Sequence, residues 1–354
     1  MFETDLTRAL KIRYPIFQAP MAGGVSTPEL VEAVSNAGGL GNLGGGYLTP
    51  EQLRSEIQKI KQRTDQPFGV NLFVPEQSED SEEAIYRMTD YLNKYRIKLG
   101  TAQNPSLMKF SESFEEQLQV VLEERVPVFS FTFGVPSQDV IQTMKQHGIF
   151  IIGTATTVDE AKQLEAAGAD AIVAQGSEAG GHRGTFMKDP SHALIGTMAI
   201  VPQIVDHVSI PVIAAGGIMD GRGLVALGAA AVQMGTAFLA CPESGAHETY
   251  NQKILSSNED STEITRAYSG RASRGIQTKF MIDMHQYPGT IPTYPIQNAM
   301  TRDIRQAAAK ANDPEYMSLW AGQGLRLAGD QPAASIVKQT IDQASVLARK
   351  FSFI

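Results

Sequence analysis

The chain has 354 residues, 42% hydrophobic and 19% charged, with a net charge of -8 at pH 7, enough for one large core plus a smaller one or for two ordinary domains. That acidic balance argues against a nucleic-acid partner, since the longest cationic cluster, Lys59-Ile60-Lys61-Gln62-Arg63, reads as a solvated helix face. A single cysteine, Cys241, excludes an intrachain disulfide and a cysteine metal cluster and reads as inert packing, and a reducing cytoplasm is the simplest compartment. No basic-then-apolar leader opens the chain and no apolar run approaches the ~18 residues of a membrane span, so a soluble protein without a membrane partner is expected.

In chain order, eight short apolar runs read as strands: Ile16 to Ala19, Gly39 to Asn42, Phe68 to Leu72, Val128 to Phe131, Phe150 to Gly153, Ala171 to Ala174, Val212 to Ala215 and Ala231 to Met234. Helix signals lie between them. Thr27-Pro28-Glu29-Leu30 opens one helix with an N-cap and a first-turn proline, and Thr157-Val158-Asp159-Glu160 opens another as a capping-box-like start. Eight strands alternating with helices predict a closed (β/α)8 TIM barrel of about 250 residues, ending near Leu239. The crossover into the fourth strand is long, holds the acidic segment Glu76 to Glu83, and is expected to carry a helix and a loop outside the barrel. From Pro242 onward, helical patterns interleave with the proline-rich stretch Tyr287 to Pro295. The expectation is therefore a barrel over 1–240 and a mostly helical subdomain over 241–354 that covers the barrel mouth, its last segment packing back on the barrel.

The sixth strand runs into Gln175-Gly176-Ser177-Glu178-Ala179-Gly180-Gly181-His182-Arg183-Gly184. A strand buried on both faces delivers its following loop to the end of the sheet where ligands sit, which makes His182 the candidate catalytic residue. Gly180, Gly181 and Gly184 would let backbone approach a planar or anionic ligand. His147, His192, His207, His247 and His285 lack such a setting, and no His-carboxylate spacing suggests a metal. Gly216-Gly217 and Gly235-Thr236 follow the last two strands, where this barrel commonly holds phosphate. No GxGxxG follows the first strand; the loop Gln18-Ala19-Pro20-Met21-Ala22-Gly23-Gly24 reads instead as a backbone platform for a flat ring. Asn71 and Gln175, each at a strand end, offer both a donor and an acceptor. Only twelve positions separate Gly216 from Gly228, where about fifteen fit a full crossover helix; the helix over Gly223 to Leu227 should be a tolerated shortening.

These motifs, with Phe131-Thr132-Phe133-Gly134, Ala215 to Gly223, Gln233-Met234-Gly235-Thr236, Tyr294-Pro295-Ile296-Gln297-Asn298 and Leu319-Trp320-Ala321-Gly322-Gln323, resemble those of the nitronate monooxygenase family, formerly 2-nitropropane dioxygenases, in its bacterial class I-like form. The resemblance implies bound FMN, with phosphate at Gly216, Gly217, Gly235 and Thr236 and the ring near Met21, Asn71, Gln175 and Gly180; Ala22, Gly181, Gln233 and Met234 complete the cofactor set. It implies oxidation of a small alkyl nitronate such as propionate 3-nitronate with O2, by single-electron transfer through a flavosemiquinone. His182 would stabilise the anion when protonated and take a proton from a neutral nitroalkane when neutral. A homodimer is compatible with this reading. The rivals are an FMN-dependent enoyl-thioester reductase using NAD(P)H, an aldolase or isomerase, against which stands the lack of a strand-end lysine, and a flavin-binding module without turnover.

Overall fold

The computed structural model describes residues 2–76, 80–105, 109–224 and 228–351. Eight parallel strands form the barrel: β1 (Ile16–Gln18), β2 (Gly41–Gly44), β3 (Phe68–Phe73), β4 (Val128–Thr132), β5 (Phe150–Ala155), β6 (Ala171–Gln175), β8 (Val212–Ala215) and β9 (Ala231–Met234), while β7 (Gly181–His182) stands outside it. Each barrel strand pairs with its neighbours in the order β1-β9-β8-β6-β5-β4-β3-β2, and a parallel bridge between Phe17 and Leu40 closes the ring. The strands match the sequence expectation with one shift: β2 begins at Gly41, because the Gly39 N–H bonds the Val34 carbonyl at 3.1 Å and so ends the preceding helix.

The helices are α1 (Asp5–Leu10), α2 (Pro28–Asn36), α3 (Pro50–Arg63), α4 (Glu82–Leu99), α5 (Phe114–Glu123), α6 (Gln138–Gln146), α7 (Val158–Ala167), α8 (Thr197–Val205), α9 (Gly221–Leu224), α10 (Glu248–Ser256), α11 (Lys279–His285), α12 (Ile296–Met300), α13 (Arg302–Lys310) and α14 (Ala333–Phe351). Thr27 caps α2 as its sequence predicts, accepting from the Leu30 N–H at 3.0 Å. Three apolar clusters organise the molecule. Strand residues and the surrounding helices form the main one; Phe17, Val128, Ile152, Val173 and Ile213 fill the barrel interior against Leu6 and Leu10 of α1, which plugs its floor. A third cluster joins the C-terminal segment to Met88, Leu92 and Tyr95 of α4, so the long crossover supplies both α5, packed on the barrel, and α4, which belongs with the cover.

The cover is not helical throughout. β10 (Thr262–Thr265) and β11 (Ser273–Ile276) form a hairpin that pairs with β7, so the histidine loop is itself a strand of a small antiparallel sheet. Within the short crossover the described residues include α9; positions 225–227 of the expected helix lie outside the described residues. α14 packs against α9. The Gly221 N–H bonds Gln343 Oε1 at 3.2 Å, and a Cβ at Gly221 would lie 2.4 Å from Thr340 O and Ala344 N. β9 keeps both its strand partners, so the shortening leaves the end of the barrel in place.

Candidate active site

A cavity of about 610 Å³ opens at the carboxyl ends of the barrel strands, within the roughly 300–1,000 Å³ of cofactor and substrate sites. It is lined by Met21, Ala22, Asn71, Gln175, Gly180, Gly181, His182, Gly216, Gly217, Gln233, Gly235 and Thr236, all singled out from the sequence. Met234 is the exception. Side chains alternate along a strand, so Gln233 faces the cavity while Met234 is 1% exposed within the barrel's outer core, where its carbonyl accepts from the Ala19 N–H at 2.8 Å.

The ends of β8 and β9 form a backbone cradle in the cavity wall. The N–H groups of Gly217, Gly235 and Thr236 find no acceptor among the described residues; Thr236 is buried, and buried backbone donors ordinarily have partners. Gly217 holds φ +69, a left-handed conformation that spares it a Cβ penalty, and a Cβ there would press on Glu178 at 3.2 Å. The Glu178 carboxylate is turned away from the cradle, accepting from the Thr197 N–H at 2.8 and 3.0 Å and from the Thr197 hydroxyl at 2.9 Å. The loop over Met21 is braced from below, its N–H bonding Ser26 Oγ at 2.8 Å.

In the histidine loop the three glycines answer to two different demands, and Gly184, expected beside a ligand, is not part of the cavity lining. A Cβ at Gly180 would lie 2.5 Å from the backbone of Ala321 and Gly322, and one at Gly184 would lie 2.7 Å from the Thr154 methyl. Those two positions are glycine because protein packs there. Gly181 alone is open, with φ +74 and no atom within 4 Å of where a Cβ would stand. The segment over Gly180 acts as a strap: the Gly322 N–H bonds Thr236 Oγ1 at 2.9 Å and the Gln323 N–H bonds the Glu178 carbonyl at 3.0 Å, tying the histidine loop to the cradle.

Gln175 lines the cavity at the end of β6. Its amide braces the loop, donating to the His182 carbonyl at 3.0 Å and accepting from the Gly184 N–H at 2.9 Å. Asn71 donates to Ser130 Oγ at 3.0 Å, while its Oδ1 has no partner among the described residues and is available at the cavity wall. Glu160 makes no capping box either. Its fully buried carboxylate takes the Thr156 N–H and hydroxyl, both at 2.7 Å, and the N–H groups of Phe186 and Met187 at 2.7 and 3.1 Å, anchoring the far end of the histidine loop.

His182 sits among rings: Phe133, Tyr294 and Trp320 lie 5.7, 6.0 and 5.4 Å away between centroids. Its Nε2 is 2.9 Å from Ser269 Oγ, and that hydroxyl lies 3.2 Å from the Arg271 carbonyl. Burial, reinforced by the positive charges of Arg271 and Arg305, pushes the imidazole down to about 3. This favours the neutral of the two forms expected of His182, and positive charge at the site comes from the guanidinium groups. Cys241 is buried, its thiol pushed up to about 12, and plays no part.

Tyr47, Ser269, Arg305 and His247 were not singled out for the site, and Phe133 stood in a recognised motif without an assigned role. His247 lines the cavity while its Nδ1 caps α10 through the Thr249 N–H at 3.2 Å. Tyr294, Asn298 and Trp320 stood within recognised motifs without an assigned role.

A (β/α)8 barrel with unpartnered N–H groups at the ends of its last two strands and a neutral imidazole at its mouth has the layout of a barrel enzyme. The nitronate monooxygenase family profile matches residues 3–343. A probable nitronate monooxygenase of Staphylococcus haemolyticus is 48% identical over 98% of both chains, and one of Staphylococcus aureus is 50% identical over 96% of both. Among solved structures, the nitroalkane oxidase of Streptomyces ansochromogenes has a TM-score of 0.90 at 39% identity, covering 98% of this chain and 100% of that one. FabK of Thermotoga maritima has a TM-score of 0.77 at 32% identity over 99% of both. The chain belongs to the nitronate monooxygenase family and is an oxidoreductase.

Proposed function

We propose that the chain is an FMN-dependent nitronate monooxygenase that oxidises alkyl nitronates, such as propionate 3-nitronate, with O2. The observation that carries this reading is a neutral, desolvated imidazole beside guanidinium groups in the same cavity as the unpartnered donors of the cradle. The cradle suits a monophosphate: the N–H groups of Gly217, Gly235 and Thr236 would hold it, Met21 and Ala22 would lie against the ring, and Asn71 Oδ1 would meet its edge. When bound, FMN supplies the electron acceptance and the reaction with O2.

The protein's own residues do the rest. With the Ser269 hydroxyl directed to the Arg271 carbonyl, His182 Nε2–H donates to Ser269 and Nδ1 keeps its lone pair. Nδ1 then takes the proton from the carbon beside the nitro group of a neutral nitroalkane, and Arg271 and Arg305 favour the anion that remains. A preformed nitronate needs no such step. In this reading residues 1–240 bind the cofactor, 241–354 close the site, and the enzyme works in the cytoplasm.

Anaerobic titration of the purified yellow protein tests the proposal: nitronate should alter the flavin's visible spectrum and NAD(P)H should not. The likeness to FabK favours a second reading, an FMN-dependent enoyl-thioester reductase; rapid bleaching by NAD(P)H with no spectral change from nitronate would establish it in place of the first.

A further inference from the structure

The chain that follows His182 is held by one arginine in the turn between β10 and β11. Arg271 donates from Nε to the Arg183 carbonyl at 3.1 Å and from Nη2 to the Thr185 carbonyl, while the Ala272 carbonyl accepts from the Arg183 N–H at 2.8 Å. The backbone of Arg271 reaches the imidazole through Ser269. That hydroxyl donates to the Arg271 carbonyl at 3.2 Å, accepts from the Arg271 N–H at 3.3 Å and meets His182 Nε2 at 2.9 Å. With its hydrogen directed to the carbonyl, the hydroxyl offers Nε2 a lone pair and no proton.

The Arg271 guanidinium is itself fixed on two sides. It lies 4.0 Å over the ring of Phe133, whose centroid is 5.7 Å from that of His182. Phe133 holds φ +81, a left-handed conformation that a bulky residue keeps only where its surroundings over-determine it, and Phe73 stacks on its ring at 4.6 Å. The counter-charge comes from Glu76, beyond the end of β3, whose carboxylate accepts from Arg271 Nη1 across 195 positions of sequence. Glu76 is absent from the cavity lining, so it meets the reaction only through Arg271. The Arg271 side chain is 8% exposed, and a charge so buried is left uncompensated when its partner is removed.

We propose that Glu76 is a positioning residue for the proton transfer at His182. By holding Arg271 against Phe133 and the loop carbonyls, it keeps Ser269 turned so that Nε2 carries the imidazole hydrogen and Nδ1 stays free. This rests on the reading of His182 as the base. A preformed nitronate gives up no proton and is indifferent to the tautomer.

The test compares holoenzyme of the wild type, Glu76→Ala and Glu76→Gln on neutral nitroethane and on preformed ethyl nitronate, with ¹⁵N spectra of histidine-labelled protein beside the kinetics; His182→Asn identifies the His182 signals. Glu76→Ala should lose about 10-fold or more in kcat on nitroethane with KM little altered, and less than about 3-fold on the nitronate. Glu76→Gln, which keeps an acceptor for Nη1, should recover most of that loss. The wild-type imidazole should show Nε2 protonated and Nδ1 bare, and Glu76→Ala should add the other tautomer. Should Glu76→Ala not fold, Glu76→Asp, which keeps the charge but falls short of Nη1, makes the same comparison. An unchanged rate on nitroethane, equal losses on the two forms, or unchanged ring signals overturns the proposal. If the wild type oxidises neither form, the proposed activity fails, and the ring signals still decide whether Glu76 fixes the tautomer.

Discussion

Gly180 and Gly181 are neighbours in one loop, and the structure assigns them different reasons for being glycine. In Gly180→Ala the new Cβ would lie 2.5 Å from the backbone of Ala321 and Gly322, against about 3.4 Å for ordinary contact, and neither atom is the end of a flexible side chain. Relief requires the strap to move by most of an ångström, which strains the Gly322–Thr236 and Gln323–Glu178 hydrogen bonds of 2.9 and 3.0 Å. Overpacking of about 1–3 kcal/mol plus part of two hydrogen bonds at roughly 0.5–1.5 kcal/mol each gives a loss of about 2–4 kcal/mol. Gly181→Ala meets no atom and bears only the left-handed backbone penalty, about 1–2 kcal/mol. An unfolding entropy of roughly 2.1 cal/mol/K per residue, taken over 354 residues, makes each kcal/mol worth about 1.3 °C. Scanning calorimetry of the holoenzyme should show Gly180→Ala lower by about 3–5 °C and Gly181→Ala by about 1–3 °C. The reverse order, or an unchanged Tm for Gly180→Ala, would refute the strap.

Two further outcomes follow from the cradle and the imidazole. Flavin released by heat should chromatograph as FMN, because the cradle's three free N–H groups suit one phosphate and no dinucleotide fingerprint follows the first strand; an FAD peak contradicts this. His182 binds its proton at about 3 when folded, against 6.5 as the ordinary value, so the unfolded chain takes up more protons between those limits. Stability is unaffected by this group above pH 6.5 and falls as pH drops below it. In urea unfolding between pH 6.5 and 4.5, His182→Asn should lose less stability with acid than the wild type, and parallel losses would show that the folded imidazole titrates normally.

The barrel was legible because each strand is a short apolar run between turn residues, and the position of His182 followed from the strand that precedes it. Strand parity could have separated Gln233 from Met234, since residues two apart share a face, but the glycine turn after them drew both into one motif. Gly180 and Gly184 were conspicuous in the sequence while their causes were not, because Ala321 and Thr154 reach them only through the fold. The same distance hid Ser269, Tyr47 and Arg305, which join His182 from separate loops and a helix of the cover. The hairpin of β10 and β11 escaped notice because its short strands, Thr262–Thr265 and Ser273–Ile276, lack long apolar character and gain their partner β7 from the barrel loop. The low proton affinity of His182 likewise comes from its burial under the cover and from Arg271 and Arg305, neither near it in sequence.

Oxygen uptake by the FMN-loaded wild type and His182→Asn, with a neutral nitroalkane and with its preformed nitronate, tests the central claim most directly. The wild type should consume O2 with both forms. The variant should lose about 10²- to 10⁴-fold on the neutral form, the usual worth of a general base, and far less on the nitronate, with its FMN content unchanged. Equal losses on the two forms, or a wild type that consumes no O2 with the nitronate, would contradict the account.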